Sequence, residues 1–406
     1  MLYGPKKKVD IVIPILCIAC LTMLNNVGSI VIADVLKAFP DTGEVLSQFT
    51  YTITTLFAVI ANFVIGFASR YISRKKLIVF SLCVMFAGGM IAGFFPINIW
   101  VVLIAGGIIG FGKGGIATLS MSLVASYCQG EKKSSMIGVR TSASYFGGMI
   151  LTLVAGELAV IKWNYAYLVF LVIFPVIFIA AKWLPSNDMA VITGQQPEQR
   201  ASRDFKFNPA ILFFCFVSFA FSVLHSIWGS NYSLFISRTG LGDAALAGTV
   251  SSVTSLAGFI MGVIFGFIYS RTKKYVFVLG CTCTLLSFTL MVTTVSVPTL
   301  FLASFLSSAG SGIVFSSNML AVANLLGPKN STIGVAMINV TGDLGYFFSP
   351  AIIDAIYQVA KPTVAEGKFF IGVIGLAIMW VILLAGTFVK QLNFVQADKE
   401  KACAAA

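Results

Sequence analysis

Four ionisable residues lie well inside long apolar stretches of this chain, away from the ends, where a charge is costly. They are Lys113, Arg140, Asp343 and His225, which is the only histidine. Near the centre of a membrane helix a charge costs about 2.5–3.5 kcal/mol or more, so such residues are functional candidates by default. Two cations are suited to binding an anion, while a carboxyl and an imidazole are suited to taking up and releasing protons.

Lys113 is the deepest of these cations. It lies in the apolar stretch 98–126, about 22 Å along a helix from the predicted outer end, too deep to reach either surface easily. This depth favours a fixed positive charge that faces a cavity. The alternative is a structural ion pair with an acid on another helix. The second half of the chain has Ile313 at the equivalent position, so the charge is not a shared feature of the halves.

Arg140 lies about 9 Å into the next apolar stretch from its predicted inner end. It could extend to the membrane surface, or it could line the inner part of a cavity below Lys113. Two cations in one cavity repel each other unless an anion joins them. Such a site predicts an anionic substrate, and arginine offers a bidentate grip on a carboxylate.

Asp343 and His225 are the candidates for proton coupling. Asp343 is about twelve residues into the stretch 331–358, where burial favours its protonated form and a nearby cation would favour the ionised form. A permanent ion pair is the alternative. His225 lies in the middle of the stretch 209–236, where a buried, hydrogen-bonded histidine is the simpler reading. Uncharged residues that could line the same substrate cavity are Asn25, Asn26, Tyr145, Tyr232, Asn318, Asn339 and Tyr346.

The elements that must position these residues are membrane helices. Hydrophobic residues make up 58% of the chain and charged residues only 10%, against about 25% charged in a soluble domain. Only helices satisfy their backbone groups in lipid without forming a barrel, and strand-like alternation is absent. We therefore predict an all-α membrane protein with twelve spans, at 9–36, 46–69, 76–95, 98–126, 134–160, 164–184, 209–236, 243–269, 275–295, 297–326, 331–358 and 368–391.

The basic residues predict the orientation of these spans. Most of the 27 lysines and arginines fall on alternate loops, which places both termini in the cytoplasm. This asymmetry also accounts for the net charge of +12 without a nucleic-acid partner. Short loops and the lack of a targeting segment favour a plasma (inner) membrane of prokaryotic type, with the lipid bilayer and a small-molecule substrate as partners and a monomer as the oligomeric state.

Enzyme chemistry is not predicted. One histidine precludes a multi-histidine metal site and most catalytic triads, and the eight cysteines lie outside the predicted outer loops. The phosphate-binding pattern G-x-x-x-x-G-K-[ST] is missing, which argues against an ATP-driven pump. We expect no metal and no cofactor, with an ion gradient, most simply of protons, as the energy source.

The chain is built from two similar halves. Residues 66–76 read GFASRYISRKK and residues 266–274 read GFIYSRTKK, and GFGK at 110–113 corresponds to GSGI at 310–313. The polar segment 185–206 separates the halves. We predict a six-helix bundle at 1–184, a cytoplasmic linker at 185–206, a second six-helix bundle at 207–395 and a cytoplasmic tail at 396–406. Duplicated polytopic proteins are typically secondary transporters.

Six plus six helices, a polar central linker and basic loops after helices 2 and 8 resemble the major facilitator superfamily over nearly the whole chain. The loop after helix 2 in that family reads roughly G-x-x-x-D-R-x-G-R-K, which Gly66, Arg74 and Lys75 match. Arg70 stands where the family has an acid that helps hold one conformational state, and Arg271 belongs to the second copy. The resemblance implies alternating access, with these five residues in conformational roles.

A second motif bears on the direction of transport. Helix 5 of the family's antiporters ends G-P-x-x-G-G, whereas residues 143–148 here read ASYFGG, without the Gly-Pro pair. This difference favours uptake by symport. Together with the anion preference of Lys113 and Arg140, it predicts symport of a small organic anion with protons. The alternatives are a proton-coupled exporter of amphipathic drugs, for which the 36 phenylalanines and 13 methionines would suit the cavity, and a transporter-like receptor.

Overall fold

The computed structural model describes residues 5–69, 71–127, 131–184, 209–272, 275–361 and 367–386. Over these ranges the chain is helical apart from short turns, and no strand occurs within them. The predicted linker 185–206, the tail 396–406 and Arg70 lie outside the described residues. The predicted all-α class is confirmed.

The first predicted span is not one continuous helix. Helix α1 (Pro5–Leu21) is followed by a 3₁₀ turn at Leu24–Asn26, and then by α2 (Val27–Ile30) and α3 (Ile32–Ala38). The break falls where Asn25 and Asn26 interrupt the apolar sequence. Asparagine side chains compete with the backbone for hydrogen bonds, which weakens a helix interior.

Five further helical spans complete the first half of the sequence. They are α4 (Gly43–Ala68), α5 (Arg74–Phe94), α6 (Ile99–Tyr127), α7 (Glu131–Ile161) and a sixth that begins as a 3₁₀ helix at Trp163–Val172 and continues as α8 (Ile173–Trp183). Helix α6 packs between α4 and α5, and α1 packs against α7. These bounds agree with the predicted spans to within a few residues.

The second half contains α9 (Pro209–Thr239), α10 (Ala244–Thr272), α11 (Val276–Thr293), α12 (Val297–Ala360) and α13 (Gly367–Gly386). Helix α12 has 64 residues and covers two predicted spans. It reverses direction, because the rings of Phe315 and Tyr346 lie 6.3 Å apart, whereas 31 residues of straight helix would separate them by about 46 Å. Its first arm (297–326) and second arm (334–360) are therefore antiparallel neighbours.

Eleven segments of the described residues are long and apolar enough to cross a membrane. The second arm of α12, which carries Asp343, is not among them, and with it the predicted count of twelve is consistent with the structure. Asp343 and the neighbouring polar residues of this arm lower its hydropathy.

The chain divides into two compact units, one of Met1–Gln196 with Ser230–Phe259 and one of Pro197–Gly229 with Ile260–Ala406. Within the first unit, residues 230–259 of α9 and α10 pack against the first half of the sequence. Tyr232 is hydrogen-bonded to Ser29 at 3.0 Å, and Gln48 donates to Asn231 at 2.8 Å. In the second unit, α11 packs against both α12 and α13. The predicted domain bounds at 184 and 207 stay a prediction.

Glycines set the closest approaches between helices of the first unit. A Cβ atom at Gly110 of α6 would overlap the backbone carbonyl of Thr54 in α4, and one at Gly147 of α7 would overlap the backbone of Cys20 in α1. Gly156 and Gly248 face each other in the same way. Small residues at such positions allow van der Waals contact between helix backbones in a membrane.

Replacing Gly110 by alanine should therefore destabilise the fold. The new methyl group has no space, so α4 and α6 must separate, at a cost of about 1–3 kcal/mol in the free energy of unfolding. The measurement is thermal unfolding in detergent. Gly138→Ala in α7 is the matched control, because no atom of the described residues lies within 4 Å of its Cβ position and alanine favours a helix. Equal melting temperatures for the two variants would contradict this packing.

Candidate functional site

One face of α6 carries the candidate anion-binding residues of the first unit. Lys113, Ala117 and Ser120 are spaced by four and three residues, so they lie within an arc of about 60° around the helix. Lys113 is half-buried and Ser120 is fully buried. From Lys113 to Ser120 the helix rises by about 10 Å. This stripe therefore runs from the predicted membrane centre toward the predicted inner side.

Arg140 of α7 places its guanidinium on the lower end of this stripe. Its Nε donates to the Ser120 hydroxyl at 3.1 Å, and its Nη2 donates to the same oxygen at 3.0 Å. Nη2 also lies 3.4 Å from the carbonyl oxygen of Ala117. Arg140 thus points toward α6. Whether it lines an inner cavity or extends to the surface stays a prediction.

Arg140 is half-buried and forms no ion pair with any acidic side chain of the described residues. Its contacts are a neutral hydroxyl and a backbone carbonyl. A buried cation is ordinarily paired with an anion or hydrogen-bonded on all its donors. The site therefore carries a positive charge that these contacts solvate only in part.

Lys113 belongs to the first unit, whereas Asp343 belongs to the second arm of α12 in the second unit, and both side chains are half-buried. Asp343 stands three residues before Tyr346, so the two side chains are neighbours on one face of the arm. The roles predicted for Lys113 and Asp343 stay predictions.

His225 lies within a hydrogen-bonded group of the second unit. Its Nδ1 is 2.6 Å from the hydroxyl of Tyr346, its Nε2 is 3.2 Å from the hydroxyl of Ser307, and its ring stacks on Phe221 at 5.7 Å. A hydroxyl can donate or accept, so the two partners suit either neutral tautomer and also the imidazolium, which donates from both nitrogens. His225 is thus a half-buried, hydrogen-bonded histidine, and its role in proton coupling stays a prediction.

The uncharged candidates are spread over both units. Tyr232 bonds to Ser29, Asn25 donates to the side chain of Asn26 at 3.2 Å, and the ring of Tyr145 packs on Gly258. These contacts lie in the first unit. In the second unit, the hydroxyl of Tyr346 is hydrogen-bonded to His225. The other two candidates of this unit are Asn318 and Asn339.

Asn318 of the second unit is fully buried and donates to the carbonyl of Phe214 at 3.2 Å, while its Oδ1 has no hydrogen-bond partner among the described residues. Asn339 has an exposed side chain. The geometry therefore groups Tyr346 with His225 and leaves Asn318 and Asn339 apart from them.

The residues predicted to have conformational roles lie at helix ends. Arg74 is the first residue of α5, is buried, and donates from Nη1 to the carbonyl of Ser122 in α6 at 3.2 Å. Lys75 follows it and is half-buried, whereas Arg271 is exposed and lies 5.0 Å above the ring of Phe267. Gly66 accepts a hydrogen bond from Ser69 at its carbonyl, and its Cβ position is open. Arg74 thus ties the start of α5 to the end of α6.

Ion pairs occur at the ends of helices predicted to face outward. Arg238 pairs with Glu44 in the first unit, and Lys368 pairs with Asp354 at 3.4 Å in the second. The carboxylate of Asp34 in α3 lies 3.7 Å from the ammonium group of Lys37. Each of these carboxylates therefore has a basic partner within its own unit.

Sequence reasoning missed Ser120, Ser307 and Phe221. A signal existed for Ser120, because its spacing from Lys113 places both on one helical face. No comparable signal existed for Ser307 or Phe221. Their distance from His225 depends on how α9 and the first arm of α12 pack.

Replacing Tyr346 by phenylalanine should destabilise the second unit. The change removes the 2.6 Å bond and leaves His225 Nδ1 without this partner, at a cost of about 1–3 kcal/mol in the free energy of unfolding. Thermal unfolding measures it, with Tyr71→Phe as the control because that side chain is 67% exposed. If Tyr346→Phe melts no earlier than the control, the bond contributes nothing to stability.

Solved structures of transporters share this fold. The nucleoside transporter NupG superposes with a TM-score of 0.77 at 11% identity, covering 94% of this chain and 100% of that one. The peptide transporter POT, in complex with sulfate, superposes with a TM-score of 0.75 at 13% identity, covering 94% of each chain. At these identities the likeness concerns the fold alone. No curated protein matches the sequence at a significant level.

A family model described as Major Facilitator Superfamily matches residues 15–350. The match spans well over half of the chain, and the structural neighbours are transporters rather than enzymes. The many apolar helices agree with a multi-pass membrane protein. This chain therefore belongs to the Major Facilitator Superfamily.

Proposed function

We propose that this protein is a secondary transporter that moves a small organic anion, such as a carboxylate, together with protons. The observation that carries the proposal is Arg140, a half-buried guanidinium of a membrane helix with no ion pair among the described residues. A cation kept in an apolar setting with neutral partners attracts an anion strongly, because the low dielectric strengthens the interaction. A substrate carboxylate would complete the hydrogen bonding of the guanidinium.

Lys113 supports an anionic substrate as well. It lies on the same stripe of α6 as the two residues that contact Arg140, about 6 Å along the helix axis from Ala117. An anion held at the Arg140 guanidinium would also lie in the field of Lys113. In this proposal both cations favour negatively charged substrates over neutral analogues.

His225, with Tyr346 and Ser307, is the proposed place of proton coupling. Its hydroxyl partners accommodate the imidazole with or without the second proton, so a change of charge does not require the group to be rebuilt. Asp343 lies one helical turn before Tyr346 and is the second proposed proton carrier. Alternating access would expose the substrate to one side of the membrane at a time.

The proposed setting is a plasma (inner) membrane with both termini in the cytoplasm, a monomer, and a proton gradient instead of a cofactor. The basic residues of alternate loops support this orientation. Nucleosides and peptides belong in the substrate screen, because the structural neighbours are transporters of these compounds. The screen should also contain small carboxylates, phosphates, sugars and lipophilic cations.

Replacing Arg140 by glutamine should weaken binding of the anionic substrate about thirtyfold or more, because the removal of one partner of a buried charge pair typically costs at least 2 kcal/mol. The loss should be confined to anions. The measurement is ligand-induced thermal stabilisation, followed by counterflow in proteoliposomes. Lys113→Gln should also weaken the binding of anions alone, by a smaller factor.

Lys162→Gln is the matched control for these two variants, because Lys162 is an exposed lysine at the end of α7. If many unrelated lipophilic cations stabilise the protein, and Arg140→Gln leaves them unaffected, the exporter of amphipathic drugs replaces the anion carrier. Binding without counterflow for every ligand would favour a receptor.

Replacing His225 by asparagine should uncouple transport from protons. Counterflow, which needs no net proton movement, should persist, whereas substrate-driven proton uptake into proteoliposomes should fall severalfold. Asp343→Asn tests the second carrier, with Asp41→Asn as the control because Asp41 is an exposed carboxyl of the 3₁₀ turn at Pro40–Thr42. Unchanged proton uptake in both the His225 and Asp343 variants would rule out these two residues as the coupling groups.

A further inference from the structure

Ser120 makes an unusual set of hydrogen bonds. Its hydroxyl oxygen accepts from both Nε and Nη2 of Arg140, at 3.1 and 3.0 Å, and the hydroxyl donates to the carbonyl of Ala117 at 3.1 Å. The residue is fully buried, with an exposed fraction of 0%. A hydroxyl offers one donor and two acceptor positions, so these three bonds use all of its capacity.

Ser120 contacts one edge of the Arg140 guanidinium. Nε and Nη2 form the side edge of the planar group, and Ser120 holds this edge. The end edge, formed by Nη1 and Nη2, has a single contact among the described residues, the 3.4 Å approach of Nη2 to the Ala117 carbonyl. Nη1 makes no hydrogen bond with the described residues. Two parallel N–H groups at the end edge match the two oxygens of a carboxylate.

We infer that Ser120 is a positioning residue for substrate binding, which anchors the side edge of Arg140 on α6 and so presents the end edge to a carboxylate. The inference rests on the proposed function, in which Arg140 binds the anion. Without the anchor, the long arginine side chain would be free to extend toward the inner membrane surface, about 9 Å away along α7. Binding would then have to restrict the side chain again, and affinity would fall.

Ser144 of α7 offers a control variant for this role. Ser144, one turn after Arg140 on α7, donates from its hydroxyl to the backbone carbonyl of Arg140 at 3.1 Å and is also buried. It contacts the same residue but not the guanidinium. Ser144→Ala therefore removes a buried hydroxyl next to Arg140 without releasing its side chain, which makes it the matched control.

The first experiment compares Ser120→Ala, Ser120→Thr, Arg140→Gln and the double variant in nanodiscs and proteoliposomes, with benzoate, succinate and inorganic phosphate as probes. Ser120→Ala should raise the half-saturating concentration of a carboxylate about tenfold, the usual effect of one lost hydrogen bond to a charged group. The maximal rate should change little. Ser120→Thr keeps the hydroxyl, and Ser144→Ala leaves the guanidinium contacts in place. The half-saturating concentration of both variants should stay within about twofold of the wild-type value, because neither loses a hydrogen bond to a charged group.

The double variant separates positioning from a direct or purely structural role. If Ser120 acts through Arg140, Ser120→Ala should add nothing to Arg140→Gln, so the two effects will not be additive. Weakened binding in Arg140→Gln with wild-type binding in Ser120→Ala overturns the positioning role alone. Wild-type carboxylate binding in Arg140→Gln overturns the proposed function, and the positioning role with it. A loss confined to phosphate would replace the carboxylate by a phosphate-bearing substrate.

A second measurement needs no substrate. Phenylglyoxal modifies accessible guanidinium groups, and mass spectrometry of the peptide that contains Arg140 gives the rate of its modification. Ser120→Ala should speed the reaction several-fold, while Ser120→Thr and Ser144→Ala should not. If none of the three probes binds the wild type, the modification rates still test whether Ser120 anchors Arg140. Equal rates in the wild type and Ser120→Ala would overturn the anchoring.

Discussion

The cost of placing polar groups in hydrocarbon governs this structure at every level. Backbone groups meet that cost by forming helices, and hydroxyl side chains meet it by donating to nearby carbonyls, as Thr152 does within α7. A guanidinium cannot be satisfied so locally. Arg140 reaches across to α6 and is solvated by one hydroxyl and one carbonyl. The rest of the proposed site follows from this incomplete solvation, because it favours an anion as the remaining partner.

Close helix packing is the condition for these contacts. Gly110 allows α6 to lie against α4, and Gly147 allows α7 to lie against α1. Both glycines belong to the helices that carry Lys113, Ser120 and Arg140. Since packed helices shift as rigid elements, the hydrogen bonds between Arg140 and Ser120 depend on the positions of helices held by residues remote from them.

Hydroxyl groups contact both Arg140 and His225, but they bond to them in different ways. Ser120 donates to a carbonyl and accepts from a cation, which leaves it with one fixed arrangement. Tyr346 and Ser307 contact the two nitrogens of His225 and can exchange donor and acceptor roles as the imidazole changes charge. The first arrangement suits a permanent positive charge that binds an anion. The second suits a group that gains and loses a proton.

The sequence by itself determined the helical class, the multi-pass membrane character and the approximate spans, and it places Lys113, Arg140 and Asp343 within those spans. These properties follow from composition and from the constant rise along a helix. Only the tertiary structure decided that α12 reverses between its arms, that Tyr346 and Ser307 flank His225, and that Ser120 holds Arg140. Contacts between helices depend on their rotation and separation, which arise from packing over the whole interface, and no local sequence pattern encodes them.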